Sequence, residues 1–189
     1  MDHPDWPAFM AAILADPDDD TVRLVAADFL EENGDPDRAA FVRIQCALAR
    51  VDAKSLEADA LRKKERAFLG PYSTFRPLWS AEACPELVRI GERMHVEGVE
   101  RLTWCRGFVE RVTCPAAEWL KHGVAVRARQ PVREVVLTGR ALARDEWYAG
   151  IAALRGLRSL RVDLWQDRGD FAAWLREWLP GTKVDDNPF

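Results

Sequence analysis

No apolar run in the 189-residue chain approaches the ~20 residues that a membrane-spanning helix needs. The opening residues, Met1-Asp2-His3-Pro4-Asp5, are acidic and lack the basic-then-apolar order of a secretory leader. Cysteine and histidine are scarce, at four and three residues. Cys46, Cys84, Cys105 and Cys114 form no CxxC pair, and His3, His95 and His122 are scattered. A zinc tetrahedron needs paired ligands at short spacing, so no metal is expected. Free, buried thiols are the expectation for a reducing compartment. GxSxG, HExxH, P-loop and GxGxxG motifs are all missing. Carboxylates such as Asp19/Asp20 and Glu31/Glu32 are adjacent, so on a helix they point apart rather than converge. Cys84 and His95 have nothing in sequence to orient them as nucleophile and base. The expectation is a cytoplasmic protein without catalytic residues, cofactor or membrane contact.

What is present is an ordinary globular composition, 48% hydrophobic and 31% charged, which argues against a disordered or low-complexity chain. The net charge of −4 is unevenly spread. Residues 1–60 hold 14 acidic and 5 basic side chains, whereas residues 101–161 hold 5 acidic and 12 basic. Such asymmetry fits a nucleic-acid or acidic-protein partner, or two parts of one chain that neutralise each other.

The acidic part reads as helices. Trp6, Phe9, Met10, Ile13 and Leu14 share one face, with Asp5 as a cap and Asp16-Pro17 as a stop. Val22, Val25, Ala26, Phe29 and Leu30 share the next, with Asp18–Asp20 at its positive end. The Asp16/Asp18/Asp20 spacing imitates a calcium loop, but Thr21 and Ala27 stand where its glycine and bidentate glutamate belong. Asn33-Gly34 predicts a left-handed stop, and Asp35-Pro36 a cap with a first-turn proline. A third helix carries Phe41, Ile44, Leu48 and Val51, and a fourth covers about residues 55–69. Prolines 71, 77 and 85 break the pattern of residues 71–98, where only 85–93 reads as helix. Tyr72, Phe75, Leu78 and Trp79 are expected to pack this connector.

The rest alternates strand and helix around a recurring triplet. Val109/Val112/Cys114, Val132/Val135/Leu137 and Leu157/Leu160/Val162 share the spacing L-x-x-L-x-L, at steps of 23 and 25 residues. Those steps fall within leucine-rich-repeat periods. Val99/Leu102/Trp104 gives one more copy ten residues before the first, leaving room for a hairpin at Arg106-Gly107 but not for a helix. Helices are expected after Pro115, after a cap at Asp145, and over about 169–179, with a strand stub at 182–184. The asparagine that ladders such repeats would fall at Ala117, Arg140 and Trp165, so their turns must be satisfied differently. An ordinary α/β sheet with crossovers is the alternative.

Residues 16–45, DPDDDTVRLVAADFLEENGDPDRAAFVRIQ, resemble the bacterial repeat-companion domain. The matches include Arg23, Leu24, Ala27, Asp28, Leu30, Glu31, Glu32, the Gly34-Asp35-Pro36 turn, Arg38, Ala39, Phe41, Arg43 and Gln45. Phe29 replaces the usual Trp, and Ala40 the usual Glu. Residues Arg106–Val112 also resemble a segment common in such proteins. The resemblance implies a companion to leucine-rich or similar repeats, in a family without an activity to carry over. In physical terms, Arg23, Asp28, Arg38, Arg43 and Gln45 are expected to lock the second helix to the third.

The fold class read from the sequence is therefore α+β. An acidic helical head (1–70) and a connector (71–98) precede a short, degenerate leucine-rich-repeat-like β/α solenoid with a β-hairpin cap (99–189). The expected function is a protein–protein interaction module: an adaptor or accessory subunit. A nucleic-acid-associated protein using residues 101–161 and an enzyme of unrecognised type are the alternatives. The candidate partner-binding residues are Arg101, Arg111, Arg133, Glu134, Arg158 and Arg161. They alternate with, or flank, the core triplets and so project from the open face of the sheet. The connector is the alternative occupant of that face.

Overall fold

The computed structural model describes residues 3–90, 96–97, 101–165 and 170–186. The chain divides into two compact units, Met1–Trp79 with Trp104–Phe108, and Ser80–Thr103 with Val109–Phe189.

The first unit is helical: α1 (Trp6–Ala15), α2 (Asp20–Glu32), α3 (Pro36–Arg50), α4 (Leu56–Leu69) and the start of α5 (Phe75–Ala83). Asp19 caps α2 by accepting the Thr21 N–H at 2.7 Å, and that bond holds its carboxyl below the usual range. Asp35 and Ser55 cap α3 and α4 in the same way. Asp5 occupies the cap position of α1, but its side chain makes no cap bond; its N–H donates to His3 Nδ1 instead. Gly34 has φ +85°, the left-handed stop expected between α2 and α3. Ile13, Ala26, Ala27, Leu30, Ala39, Val42 and Cys46 close on Phe108. The alanines let α2 and α3 approach closely, and each large apolar side chain buried here contributes about 1.5–3 kcal/mol.

The connector departs from its reading. Pro77 stands in the first turn of α5, where a missing N–H costs nothing, so it opens a helix rather than breaking one. Residues 85–88 form no helix, and Arg89–Ile90 pair as β1 with β2 (Val96–Glu97), antiparallel; residues 91–93 lie outside the described set. Phe75 and Trp79 pack 5.1 Å apart, as expected, but Tyr72 is 97% exposed and Leu78 is half exposed.

The second unit is built on a mixed, open five-stranded sheet in chain order. Its strands are β3 (Arg101–Cys105), β4 (Phe108–Pro115), β5 (Glu134–Arg140), β6 (Ser159–Trp165) and β7 (Lys183–Asp186). A two-residue turn joins β3 to β4, whereas β4, β5, β6 and β7 run parallel. The crossovers are α6 (Ala116–Arg127), α7 (Arg144–Gly150) with a 3-10 turn (Ile151–Ala153), and α8 (Asp170–Trp178). Eight α-helices among the described residues and this sheet make the fold mixed α+β. The triplets align across it: Val112, Val135, Leu160 and Val184 form one buried row, and Cys114, Leu137 and Val162 the next. Val99, from the earliest copy, lies outside the described residues.

The cap of α7 is Ala143, not Asp145; Glu146 reaches back to accept the Ala143 N–H at 2.9 Å. No asparagine ladder exists at Ala117 or Arg140. Backbone bonds instead tie the strand starts together: the N–H groups of Arg133, Arg158 and Lys183 donate to the carbonyls of Glu110, Arg133 and Arg158. Gln130 adds a side-chain oxygen that accepts the Val109 N–H at 3.1 Å. At the β7 edge, Arg176 donates to the Val184 carbonyl at 3.1 Å, occupying a group that an edge strand would otherwise offer to another chain.

Candidate functional site

Two polar constellations stand out. In the first unit, Arg23 is fully buried and donates to the carbonyls of Cys105 and Arg106, both at 3.1 Å, and of Pro17 at 2.6 Å. Gln45 donates to the Trp104 carbonyl at 3.2 Å and to Glu65, while its oxygen accepts the Gly107 N–H at 2.7 Å. The guanidinium of Arg38 lies 4.7 Å from the ring centres of both Trp79 and Trp104. Arg106 and Gly107 both have positive φ, +49° and +89°, as a type I′ hairpin turn demands. These side chains hold the hairpin tip. Between α2 and α3, Arg43 makes the expected lock by pairing with Asp28 at 2.7 Å and Glu31 at 2.6 Å, and Arg50, not among the residues expected there, adds a pair with Asp20 at 2.8 Å. The hydrogen bond to Asp28, then that to Glu31, pushes the Arg43 pKa up. Arg23 and Gln45 each serve several backbone groups of the hairpin tip, and Arg38 stacks on Trp104 beside it.

The second constellation is the open face of the sheet. Arg101, Thr103, Arg111, Thr113, Val136, Thr138, Arg161 and Asp163 line a cleft of about 460 Å³. Alternation along each strand puts them opposite the buried rows. Arg101, Thr103, Arg111 and Arg161 are exposed. Arg111 is paired with Glu134, its register partner on β5, with the Nε bond at 2.7 Å. Arg161 donates to Asp163 Oδ2 through Nε at 2.9 Å and a terminal nitrogen at 2.6 Å. Each pair fixes an arginine while leaving further N–H groups for a ligand. Arg101 has no ion-pair partner among the described residues. Among the described residues, Asp163 Oδ1 is buried without a donor.

Of the sequence candidates, Arg101, Arg111 and Arg161 line the cleft, and Glu134 braces it. Arg133 does not: it forms a largely buried pair with Glu110 at 2.6 Å. Arg158 is exposed but does not line the cleft. Its side chain belongs to the strand start, before the pleat of β6 begins. Thr138 and Asp163 were missed, although each is the next period-two position after Val136 and Arg161.

Cys84 is buried, and desolvation pushes its thiol up to about 12; burial likewise raises Cys46 to about 11. Neither supplies a thiolate at neutral pH, and His95 lies outside the described residues. Among the described residues no group of three or more His, Cys, Asp or Glu is placed to hold a metal ion. Nor is any described helix long and apolar enough to cross a membrane. No family model, curated protein or solved structure matches this chain.

Proposed function

We propose that this chain is a non-catalytic protein-interaction module, an adaptor or accessory subunit, that binds its partner on the open face of the sheet. The observation that carries this reading is the cleft of braced arginines and threonines, whose lining includes exposed guanidiniums. Arginine suits protein interfaces because its planar fork binds carboxylates while its stem packs. The β/α tail is read as a short, degenerate leucine-rich-repeat-like solenoid with the β3–β4 hairpin as its cap. The in-register triplet rows support this, as does the resemblance of residues 16–45 to the repeat-companion domain. The basic stretch favours protein over nucleic acid. Arg111, Arg129, Arg133, Arg140 and Arg161 each face a carboxylate, and among the described residues the cleft lining has no aromatic ring for bases to stack on.

The test is the double reversal Arg111→Glu with Arg161→Glu. The tagged wild type is expected to retain a partner from its native cells that the variant loses while melting at a similar temperature. Full retention by a folded variant overturns the site, and retention that fails only after nuclease treatment overturns the protein partner.

A further inference from the structure

Resting on that reading, we infer that the cleft takes an extended peptide segment crossing the strands, with an acidic side chain on Arg101 and a basic one on Asp163. Two unmet groups point there. Arg101 on β3 has no ion-pair partner among the described residues. Asp163 on β6 has only 14% of its side chain exposed; Oδ2 takes both Arg161 bonds, while Oδ1 is buried with no donor among the described residues. An incompletely satisfied carboxylate lining the cleft favours a cationic group placed beside it over an anionic one. A wholly acidic ligand satisfies Arg101 but sets like charge against Asp163. A wholly basic one does the reverse.

The spacing also selects a peptide. β3 and β6 are separated by three strand steps, about 14 Å at ~4.8 Å per step. An extended chain advances about 3.4 Å per residue, so four residues span the same ~14 Å. Residues four apart in an extended chain point to the same side, as two contacts on one sheet face require. Thr113 on β4 and Val136 on β5 lie between those strands, and the Thr113 hydroxyl can both donate and accept toward a crossing backbone.

The experiment titrates the full-length, isotope-labelled protein with blocked pentapeptides and reads amide shifts at Thr103, Thr113, Val136 and Thr138. The peptides are Glu-Thr-Val-Thr-Lys and its charge-exchanged form Lys-Thr-Val-Thr-Glu, the acidic Glu-Thr-Val-Thr-Glu and the neutral Gln-Thr-Val-Thr-Gln. One mixed-charge peptide is expected to bind about tenfold or more tighter than the acidic and neutral ones, the scale of one charge-assisted hydrogen bond. Arg101→Gln and Asp163→Asn should each remove that advantage. Asp163→Asn should also bring the acidic peptide level with the mixed one. If the acidic peptide binds wild type as tightly as either mixed one, the role of Asp163 is overturned while an acidic protein partner still stands. If no peptide shifts these amides, this inference fails, and the charge-reversal experiment above judges the broader reading on its own.

Discussion

Arginine does opposite work in the two units. In the helical unit Arg23 and Arg38 are buried, and their guanidiniums meet carbonyls and aromatic rings of the same unit. On the sheet, Arg101, Arg111 and Arg161 are exposed around a cleft. The first set commits its donors to the fold, and the second leaves its guanidiniums open to solvent. Residue type alone therefore says little about function here. What separates the two sets is whether carbonyls and rings of the chain itself enclose the guanidinium.

The comparison breaks most visibly at Arg23. Arg23→Leu keeps apolar bulk but strands the carbonyls of Pro17, Cys105 and Arg106. Each buried acceptor left bare costs ~1–3 kcal/mol, so a total loss of about 3–5 kcal/mol is expected in chemical denaturation. Arg101→Leu, on the exposed set, should change stability by no more than ~0.5 kcal/mol. Equal losses at the two positions would erase the distinction.

A smaller contrast separates two glycines of the helical unit. Gly34 and Gly107 both have positive φ, +85° and +89°. A methyl group at Gly34 meets nothing within 4 Å, whereas at Gly107 it would lie 2.4 Å from Val42 Cγ2 and 3.0 Å from its Cα. Gly34→Ala should therefore cost only the backbone strain, ~1–2 kcal/mol. Gly107→Ala adds overpacking and should reach about 2–4 kcal/mol. Val42→Ala in the same chain should recover part of the second loss and none of the first, as a double-mutant cycle would measure.

Much of this arrangement was legible in the sequence because it is written in local periods. The stripe of Val22, Ala26, Phe29 and Leu30 gave α2, and the spacing of Val112/Cys114, Val135/Leu137 and Leu160/Val162 placed aligned positions on β4, β5 and β6. The same alternation put Arg101, Arg111 and Arg161 on one cleft. What escaped was tertiary. Arg23 and Gln45 sit 82 and 62 residues from their hairpin partners Cys105 and Gly107, and no local pattern encodes such a distance. Pro77 misled because proline breaks a helix interior but is tolerated in a first turn. Arg133 stands apart from the cleft lining because it pairs with Glu110 across 23 residues, a pairing that depends on strand register.

The smallest expected effect tests the exposed end of the comparison within the helical unit itself. Arg43 bridges Asp28 and Glu31 of α2 from α3, but its side chain is 36% exposed and its partners are more so. Water and ions compete for all three groups, and holding them together restricts long side chains. Arg43→Gln should therefore cost no more than ~1 kcal/mol, despite contacts as short as those of Arg23. Screening sharpens the distinction. At 1 M salt the Debye length falls to about 3 Å, so the difference between wild type and Arg43→Gln should shrink toward zero. The Arg23→Leu difference should stay nearly constant, because its acceptors are carbonyls out of reach of ions. Denaturation of both variants at low and high salt measures this. A salt-insensitive loss at Arg43 would show that it packs as a buried arginine does, and that exposure is not what divides the two sets.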